Sequence, residues 1–390
     1  MNEPEIYLDY AATSPVDPAV TAAMLECLEH EFGNPSSQHA AGRRARRLVE
    51  AARAAVAARV GADPGALVFT SGATESNNLA LKGVLRRERK RRAGLVTTRI
   101  EHKSVLDTAR ALEAEGFAVT YVDAERDGSI DPERVAAAIV ADTALVSVMH
   151  VNNETGVVQD VDAIGRLCRQ RGVPLHVDAA QSVGKVPLDL SSAPIDLCSL
   201  TAHKVCGPKG VGALYVAPGV VLAPQQQGGE QEHGLRAGTL ATHQVVGMGR
   251  AYELADASLE APRLAALRDR LWRELARIPG ARPNGASARR AAHLLNVTFP
   301  GVEGESLRWA LRGIAVSAGS ACAADSPEAS HVLTGMGLSD VLAASSLRFS
   351  VGRFTTESDV VRAAAVVAAA VGRLRAVAKS APAWCSGSSF

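Results

Sequence analysis

Residues 174–204 read PLHVDAAQSVGKVPLDLSSAPIDLCSLTAHK, and this stretch decides the fold. It contains two short apolar runs, 175–177 and 196–200, and each is followed at once by polar residues. Short apolar runs of this kind are typical of strands buried on both faces of a sheet. Five more occur in the first two-thirds of the chain, at 67–69, 94–98, 118–122, 144–149 and 212–216.

Helical patterns separate several of these strands, at 75 to about 92, 103–115 and 162–171. The alternation predicts an α/β fold with a mostly parallel seven-stranded sheet and right-handed crossovers. Beyond about residue 255 the pattern changes to two helices, 259–278 and 357–377, and two strands, 293–299 and 347–351. We therefore expect a large domain over residues 14–256 and a smaller α+β domain built from residues 1–13 and 257–390.

The composition argues against several classes of protein. The 390 residues carry 42 Lys and Arg against 41 Asp and Glu, and this near-balance argues against a dedicated nucleic-acid binder. No apolar run reaches the roughly 18 residues of a membrane helix, and the first residues show no secretory pattern. The six cysteines form no C-x-x-C pair, so we expect reduced thiols in a cytoplasmic protein and no metal site.

A basic run, RRERKRR, occupies residues 86–92. It is compatible with a contact to RNA or to an acidic protein. The alternative is the solvated end of a helix, where cations suit the helix dipole. The sequence favours the structural interpretation, because the neighbouring segments look purely structural.

Polar residues follow most of the predicted strands. Ligands of open α/β sheets bind beyond the carboxyl ends of the strands, so these residues are the informative ones. The first strand leads into TSGATESNN (70–78), whose small and hydroxyl residues suit either an anion site at a helix N-terminus or ordinary helix caps. The other strand ends carry EHK (101–103), HVNNE (150–154), DAAQ (178–181) and TAHK (201–204).

Asp178 and Lys204 together suggest a particular cofactor. Pyridoxal phosphate requires a lysine for its Schiff base and an acid that faces its pyridine nitrogen. It also needs a phosphate cradle, for which Thr74, Thr201 and His203 are suitable, and a ring to stack on it, for which His102 is suitable. The alternative is that Asp178 and Lys204 form a simple salt bridge.

Eight segments together resemble the cysteine desulfurases, in particular the branch that serves iron–sulfur cluster assembly and nitrogenase maturation. They lie in order between about residues 6 and 375: LDYAAT (8–13), GNPSS (33–37), GATESNN (72–78), EHK (101–103), HVNNE (150–154), HVDAAQ (176–181), HK (203–204) and SAGSAC (317–322). The resemblance implies a homodimeric fold type I pyridoxal-phosphate transferase. Such an enzyme converts L-cysteine to L-alanine and a protein-bound persulfide.

The resemblance also implies roles for cofactor-binding residues. Lys204 would be the Schiff-base lysine, Asp178 would keep the pyridine nitrogen protonated, and Gln181 would bind the ring oxygen. His102 would stack on the ring and move protons. The residues that would bind phosphate are Ala73, Thr74, Thr201 and His203, with Thr239 reaching the phosphate of the partner subunit.

The substrate side follows in the same way. Asn153 and Arg348 would bind the carboxylate of L-cysteine, with Asn34 nearby, and Cys322 would be the nucleophile. Small residues around Cys322 predict a mobile loop, which suits a thiol that must reach the substrate and then a sulfur-acceptor protein. Taken without the resemblance, the residues around Cys322 favour a small buried filler over a nucleophile.

The remaining cysteines receive weaker assignments. Cys206 lies two residues after Lys204, but catalysis by its thiol is disfavoured because relatives usually carry an aromatic residue or histidine there. Cys27, Cys168 and Cys198 fit structural positions, and an exposed Cys385 is a candidate to accept or leak persulfide.

Two departures and several alternatives stay open. Glu230 and His233 stand where relatives generally have glycine and arginine. A different pyridoxal-phosphate lyase or aminotransferase, acting on selenocysteine or cysteine sulfinate, would not need Cys322. A docking platform for sulfur acceptors is a third possibility. The acceptor pathway is open among iron–sulfur scaffold, tRNA thiolation, DNA phosphorothioation and cofactor biosynthesis.

Overall fold

A seven-stranded sheet organises the computed structural model, which describes residues 5–89, 91–286, 289–317, 319 and 329–380. The strands, in chain order, are β1 (Ile6–Tyr7), β2 (Leu67–Thr70), β3 (Gly94–Thr98), β4 (Ala118–Val122), β5 (Thr143–Met149), β6 (Leu175–Asp178), β7 (Leu197–Thr201), β8 (Gly212–Val216), β9 (Arg282–Asn284), β10 (Leu294–Thr298), β11 (Ile314–Ala315) and β12 (Ser346–Ser350). The large sheet has the order β2-β8-β7-β6-β5-β3-β4. Because β8 pairs antiparallel with both β2 and β7, the other six strands run parallel to one another. The predicted α/β class and mostly parallel seven-stranded sheet are confirmed.

Helices surround the sheets. They are α1 (Pro18–His30), α2 (Ala40–Val60), α3 (Ala73–Glu88), α4 (Lys103–Ala114), α5 (Pro132–Ala138), α6 (Val161–Arg171), α7 (Thr242–Leu254), α8 (Ala257–Leu275), α9 (Gly304–Ala310), α10 (His331–Gly335), α11 (Asp340–Ala344) and α12 (Glu357–Ser380). Alternate residues of one strand serve opposite faces of the large sheet. In β5, Leu145 packs with α3 and α4, whereas Val146 packs in the cluster that contains α2 and α6. This two-sided burial explains why the strands read as continuous apolar runs.

The two ends of the chain meet in a separate core. β1 pairs in parallel with β11, and β10 lies between β9 and β12 in a three-stranded sheet. Ile6 and Leu8 pack in the same apolar cluster as α8 and α12. The division into domains at residues 14–256 stays a prediction of the sequence.

The basic run of residues 86–92 has internal partners. Helix α3 ends at Glu88, short of the predicted end near residue 92, because the N–H groups of Arg91 and Arg92 both donate to the Glu88 carbonyl and close a tight turn. Arg86 pairs with Glu115 at 2.7 Å, and the Arg89 guanidinium lies 5.1 Å from the Phe117 ring centroid. These contacts favour the structural interpretation of the run.

Two kinds of feature are absent from the described residues. None of the helices in these ranges is long and apolar enough to cross a membrane. The same residues contain no cluster of three or more His, Cys, Asp or Glu side chains arranged to hold a metal ion.

Candidate active site

A cavity of about 430 Å³ lies where the carboxyl ends of the parallel strands converge. Six parallel strands bring the residues that follow them to one edge of the sheet, and β8 returns to that edge at its amino end. The predicted site residues that line this cavity are Ala73, Thr74, His102, Asn153, Asp178, Gln181, Thr201, His203, Lys204 and Arg348.

The N-terminus of α3 forms one wall of the cavity. Gly72 precedes the helix without a side-chain cap, so Ala73 and Thr74 open a helix whose first N–H groups have no capping side chain. Gly212 allows this turn to sit close to the sheet, because a Cβ there would lie 2.6 Å from the Gly72 Cα. An uncapped helix N-terminus facing a cavity is suited to an anion such as phosphate.

Asp178 is held in place at the end of β6. Its Oδ2 accepts a hydrogen bond from Asn77 Nδ2 at 2.8 Å, and its Oδ1 accepts one from the Ala180 N–H at 3.0 Å. Asn77 donates from the same nitrogen to Ser104 Oγ at 2.8 Å. These bonds fix the carboxylate of a residue that is 5% exposed.

His102 caps α4. Its Nδ1 accepts a hydrogen bond from the Ser104 N–H at 3.1 Å, so a neutral ring must carry its proton on Nε2. Burial, followed by the nearby charge of Lys204, lowers the pKa of His102 to about 4. The ring is therefore neutral at physiological pH and presents an N–H donor at Nε2.

The turn that carries His203 and Lys204 is pinned from the start of the chain. The Ser14 hydroxyl donates to the His203 carbonyl at 2.6 Å and accepts from the Cys206 N–H at 2.8 Å. His203 Nδ1 lies 3.2 Å from Thr13 Oγ1. Burial and the Lys204 charge lower the pKa of His203 to about 3, so its ring is also neutral.

Gln181 is oriented by a buried network that sequence reasoning missed. Its Nε2 donates to the Ala11 carbonyl at 2.8 Å, while its Oε1 lies 3.2 Å from His293 Nε2 and 3.5 Å from Lys185 Nζ. Burial lowers the pKa of Lys185 to about 7, with the Lys204 charge adding to this effect. The network directs the amide oxygen to its protein partners and leaves one N–H for a ligand.

Arg348, on β12, is 1% exposed and has a counterion that the sequence did not reveal. Its Nη2 lies 2.8 Å from Asp9 Oδ1, and its Nη1 donates to the Asn153 carbonyl at 2.9 Å. Asp9 lies in the LDYAAT segment, 339 residues away in sequence. Such a pair has no local sequence signal beyond the presence of an acid in a motif.

Three buried polar atoms on residues that line the cavity have no hydrogen-bond partner among the described residues. They are Asn153 Oδ1, Thr201 Oγ1 and Arg348 Nε. An unpaired buried polar atom costs free energy. Their presence around one cavity therefore indicates a polar ligand.

The other predicted site residues lie elsewhere. Asn34 and Thr239 are exposed and do not line the cavity of the single chain. The stretch that leads to Thr239 is fixed beside the cavity by the ion pair between Arg236 and Glu75, at 3.0 Å. Cys322 and Cys385 lie outside the described residues.

Four cysteines are described, and all are buried. Burial raises the pKa of the Cys27, Cys168, Cys198 and Cys206 thiols. Raised pKa values and burial suppress thiolate chemistry, which agrees with the structural assignment of the first three and disfavours catalysis by Cys206.

Comparison with known proteins gives a consistent family. The aminotransferase class-V model matches residues 6–362. The cysteine desulfurase IscS of Proteus mirabilis is 53% identical over 380 residues, which cover 95% of this chain and 93% of that protein. A solved NifS-like protein superposes with a TM-score of 0.89 at 36% identity, covering 95% of this chain and all of its own. The structure described as SspA in complex with cysteine gives a TM-score of 0.81 at 38% identity, covering 90% of this chain and 99% of that chain.

Proposed function

The chain belongs to the aminotransferase class-V family and to its cysteine desulfurases, and we propose that it converts L-cysteine to L-alanine with the sulfur left as a persulfide on Cys322. The observation that carries the proposal is the convergence of Lys204, Asp178, His102 and Arg348 on one cavity at the sheet edge. This combination supports a pyridoxal-phosphate enzyme that binds an amino acid, and the likeness to the cysteine desulfurases supports the reaction.

The cavity fits pyridoxal 5'-phosphate. The uncapped start of α3 and Thr201 Oγ1, which has no hydrogen-bond partner among the described residues, suit its phosphate, and Asp178 suits its pyridine nitrogen. Lys204 supplies the amine that holds it, and His102 supplies a ring face. When bound, this cofactor withdraws electrons from the carbon skeleton of an amino acid joined to it.

The protein's own residues tune that environment. Asn77 and the Ala180 N–H donate to the two oxygens of Asp178 and hold its carboxyl group in a fixed orientation toward a facing ring nitrogen. His102, neutral and protonated on Nε2, can donate a hydrogen bond from that atom. Gln181 presents one N–H, because its oxygen is occupied by His293 and Lys185.

Arg348 and Asn153 suit the substrate carboxylate, since Arg348 Nε has no partner in the part of the chain that the structure describes and its guanidinium is already fixed by Asp9. The sulfur transfer balances without an external oxidant. A bond forms between Cys322 Sγ and the substrate sulfur while the substrate carbon–sulfur bond breaks. The electron pair of that bond ends in a new C–H bond of alanine, and the protein keeps the sulfur as a persulfide.

Partners follow from the same proposal. We expect a cytoplasmic homodimer in which the exposed Thr239 reaches the phosphate site of the partner subunit. The persulfide then passes to a sulfur-acceptor protein, and the IscS name of the relatives makes iron–sulfur cluster assembly the first pathway to examine.

The test replaces Cys322 with Ser and, separately, Lys204 with Ala. Cys322→Ser is expected to keep the cofactor absorbance and to lose persulfide formation and sulfide release from cysteine. Lys204→Ala is expected to lose the absorbance of the lysine-bound cofactor. Cys206→Ser is the matched control, because it removes a buried thiol near Lys204 and should retain turnover. Full turnover of cysteine by Cys322→Ser would contradict the proposal and favour a lyase that needs no cysteine.

A further inference from the structure

We propose that Glu154 is a positioning residue that holds both stems of the segment bearing Cys322 against the substrate-carboxylate site. The inference rests on the proposed function, because it assigns Glu154 to the sulfur-transfer step of that reaction. The contacts that carry it all lie among described residues on either side of residues 320–328.

The first stem is fixed on Arg348. Ser317 pairs with it through two backbone hydrogen bonds, of 3.3 Å from the Ser317 N–H and 2.7 Å from the Arg348 N–H. The Ser317 hydroxyl donates to Asp9 Oδ2 at 2.9 Å, on the carboxylate that pairs with Arg348. Two residues later Gly319 lies against Glu154, since a Cβ added at Gly319 would stand 3.1 Å from Glu154 Oε2.

The second stem ends on the same carboxylate oxygen. The Ser330 hydroxyl donates to Glu154 Oε2 and accepts from the Leu333 N–H at 3.2 Å, where it caps α10. The next residue, His331, places its Nε2 2.9 Å from the Glu101 carbonyl oxygen. One buried oxygen therefore adjoins the last described residue of the first stem and the capping residue of the second.

Glu154 is itself immobilised. Asn152 Oδ1 accepts from the Glu154 N–H at 3.0 Å, and Asn152 Nδ2 donates to the Ile100 carbonyl at 3.0 Å. Asn296 donates to the Glu154 carbonyl at 3.1 Å, and the whole residue is 1% exposed. Its neighbour Asn153 accepts from Arg348. The turn that helps to form the carboxylate site thus also carries the anchor for both stems.

The anchor has a chemical consequence. Cys322 lies three Cα–Cα steps beyond Gly319, and three steps of extended chain span at most about 11 Å. Fixing both stems limits the volume that the thiol can sample and raises its effective concentration near a substrate bound at Arg348. Loss of the anchor should therefore slow sulfur transfer without weakening cofactor or cysteine binding.

The experiment compares Glu154→Met and Ser330→Ala with Ser339→Ala. Methionine keeps the length of the buried side chain and removes its acceptor oxygens. Ser339 caps the five-residue helix α11 as Ser330 caps the five-residue α10, so Ser339→Ala reproduces the loss of a cap without touching Glu154. Ser330→Thr keeps the hydroxyl and serves as the conservative variant.

Three quantities describe the reaction of the cofactor-loaded protein: the cofactor absorbance, the KM for cysteine, and the single-turnover rate of persulfide formation on Cys322. A fourth is the rate at which iodoacetamide alkylates Cys322 in the absence of cysteine. Peptide mass spectrometry identifies the alkylated residue. We expect Glu154→Met and Ser330→Ala to retain the absorbance and KM and to slow persulfide formation about tenfold, the loss of one charge-assisted hydrogen bond. Their alkylation rates should change as well, whereas Ser330→Thr and Ser339→Ala should match the wild type.

The assignment would be overturned if Ser330→Ala formed the persulfide as fast as Ser339→Ala. It would also be overturned if the cofactor absorbance and the rate of sulfur transfer fell equally in Glu154→Met and Ser330→Ala. Failure of the proposed function is separately visible, because Cys322→Ser would then still turn over cysteine whatever the anchor variants do.

Discussion

Glu101 is predicted to be protonated in the folded protein at neutral pH. The side chain is fully buried at the end of β3, and its Oε1 accepts from Thr98 Oγ1 at 2.8 Å and from the Met149 N–H at 2.9 Å. Its Oε2 has no hydrogen-bond partner among the described residues. Burial, only partly offset by these two bonds, raises the pKa of Glu101 from 4.5 to about 8.

The magnitude follows from linkage. One pKa unit corresponds to 1.36 kcal/mol, so the whole shift amounts to about 5 kcal/mol. Because the folded pKa lies above the unfolded one, the contribution is fully present below about pH 4.5 and is lost as pH rises through about 8. Between pH 5 and pH 7.5, the free energy of unfolding of the wild type should therefore fall by about 3 kcal/mol relative to that of Glu101→Gln.

The assay is urea unfolding of both proteins at a series of pH values in that range. Infrared difference spectroscopy adds a direct readout, since the carbonyl band of a protonated buried acid should be present in the wild type and absent in the variant. Glu303→Gln is a control of opposite sign, because backbone N–H donors lower the pKa of that helix cap. Parallel pH profiles for wild type and Glu101→Gln would refute the reasoning.

Two other substitutions test the framework of the site. Gly212→Ala should weaken binding of pyridoxal phosphate to the cofactor-free protein by at least about tenfold in a spectrophotometric titration. The new Cβ would lie 2.5 Å from the Leu200 carbonyl oxygen and would force the turn at Gly72 to move. The control is Gly372→Ala, which should bind the cofactor normally because a Cβ there meets nothing within 4 Å. Arg53→Met should lower the free energy of unfolding, measured by urea unfolding, by about 3 kcal/mol. The substitution leaves the buried Glu232 without the guanidinium that now contacts it at 2.7 Å. A loss below about 1 kcal/mol would contradict this prediction.

The sequence predicted the frame of the large sheet because its strands are buried on both faces and read as separate apolar runs. The short strands β1, β9 and β11 escaped prediction, since two or three residues carry no periodic pattern. The helices α1 and α2 were likewise missed. Their packing partners, α7 among them, follow much later in the chain.

Strand ends also identified most of the cavity wall, because parallel topology alone brings His102, Asp178 and Lys204 to one edge. The supporting contacts were beyond sequence reasoning. Pairs such as Asp9 with Arg348 join residues at opposite ends of the chain, and Gln181 with His293 joins two different sheets. Neither the spacing nor the type of these residues predicts that they are in contact.

The pairing of the first strand with the last part of the chain has a consequence for biosynthesis. Asp9 leaves the ribosome early, but Arg348 is made 339 residues later, which takes roughly 20 to 70 s at ordinary elongation rates. Ile6 and Tyr7 likewise have no strand to pair with until Ile314 and Ala315 of β11 have been made. The carboxylate site is thus completed only after residue 348 has been made, and a nascent chain that has not reached this residue cannot bind cysteine there and start releasing sulfide.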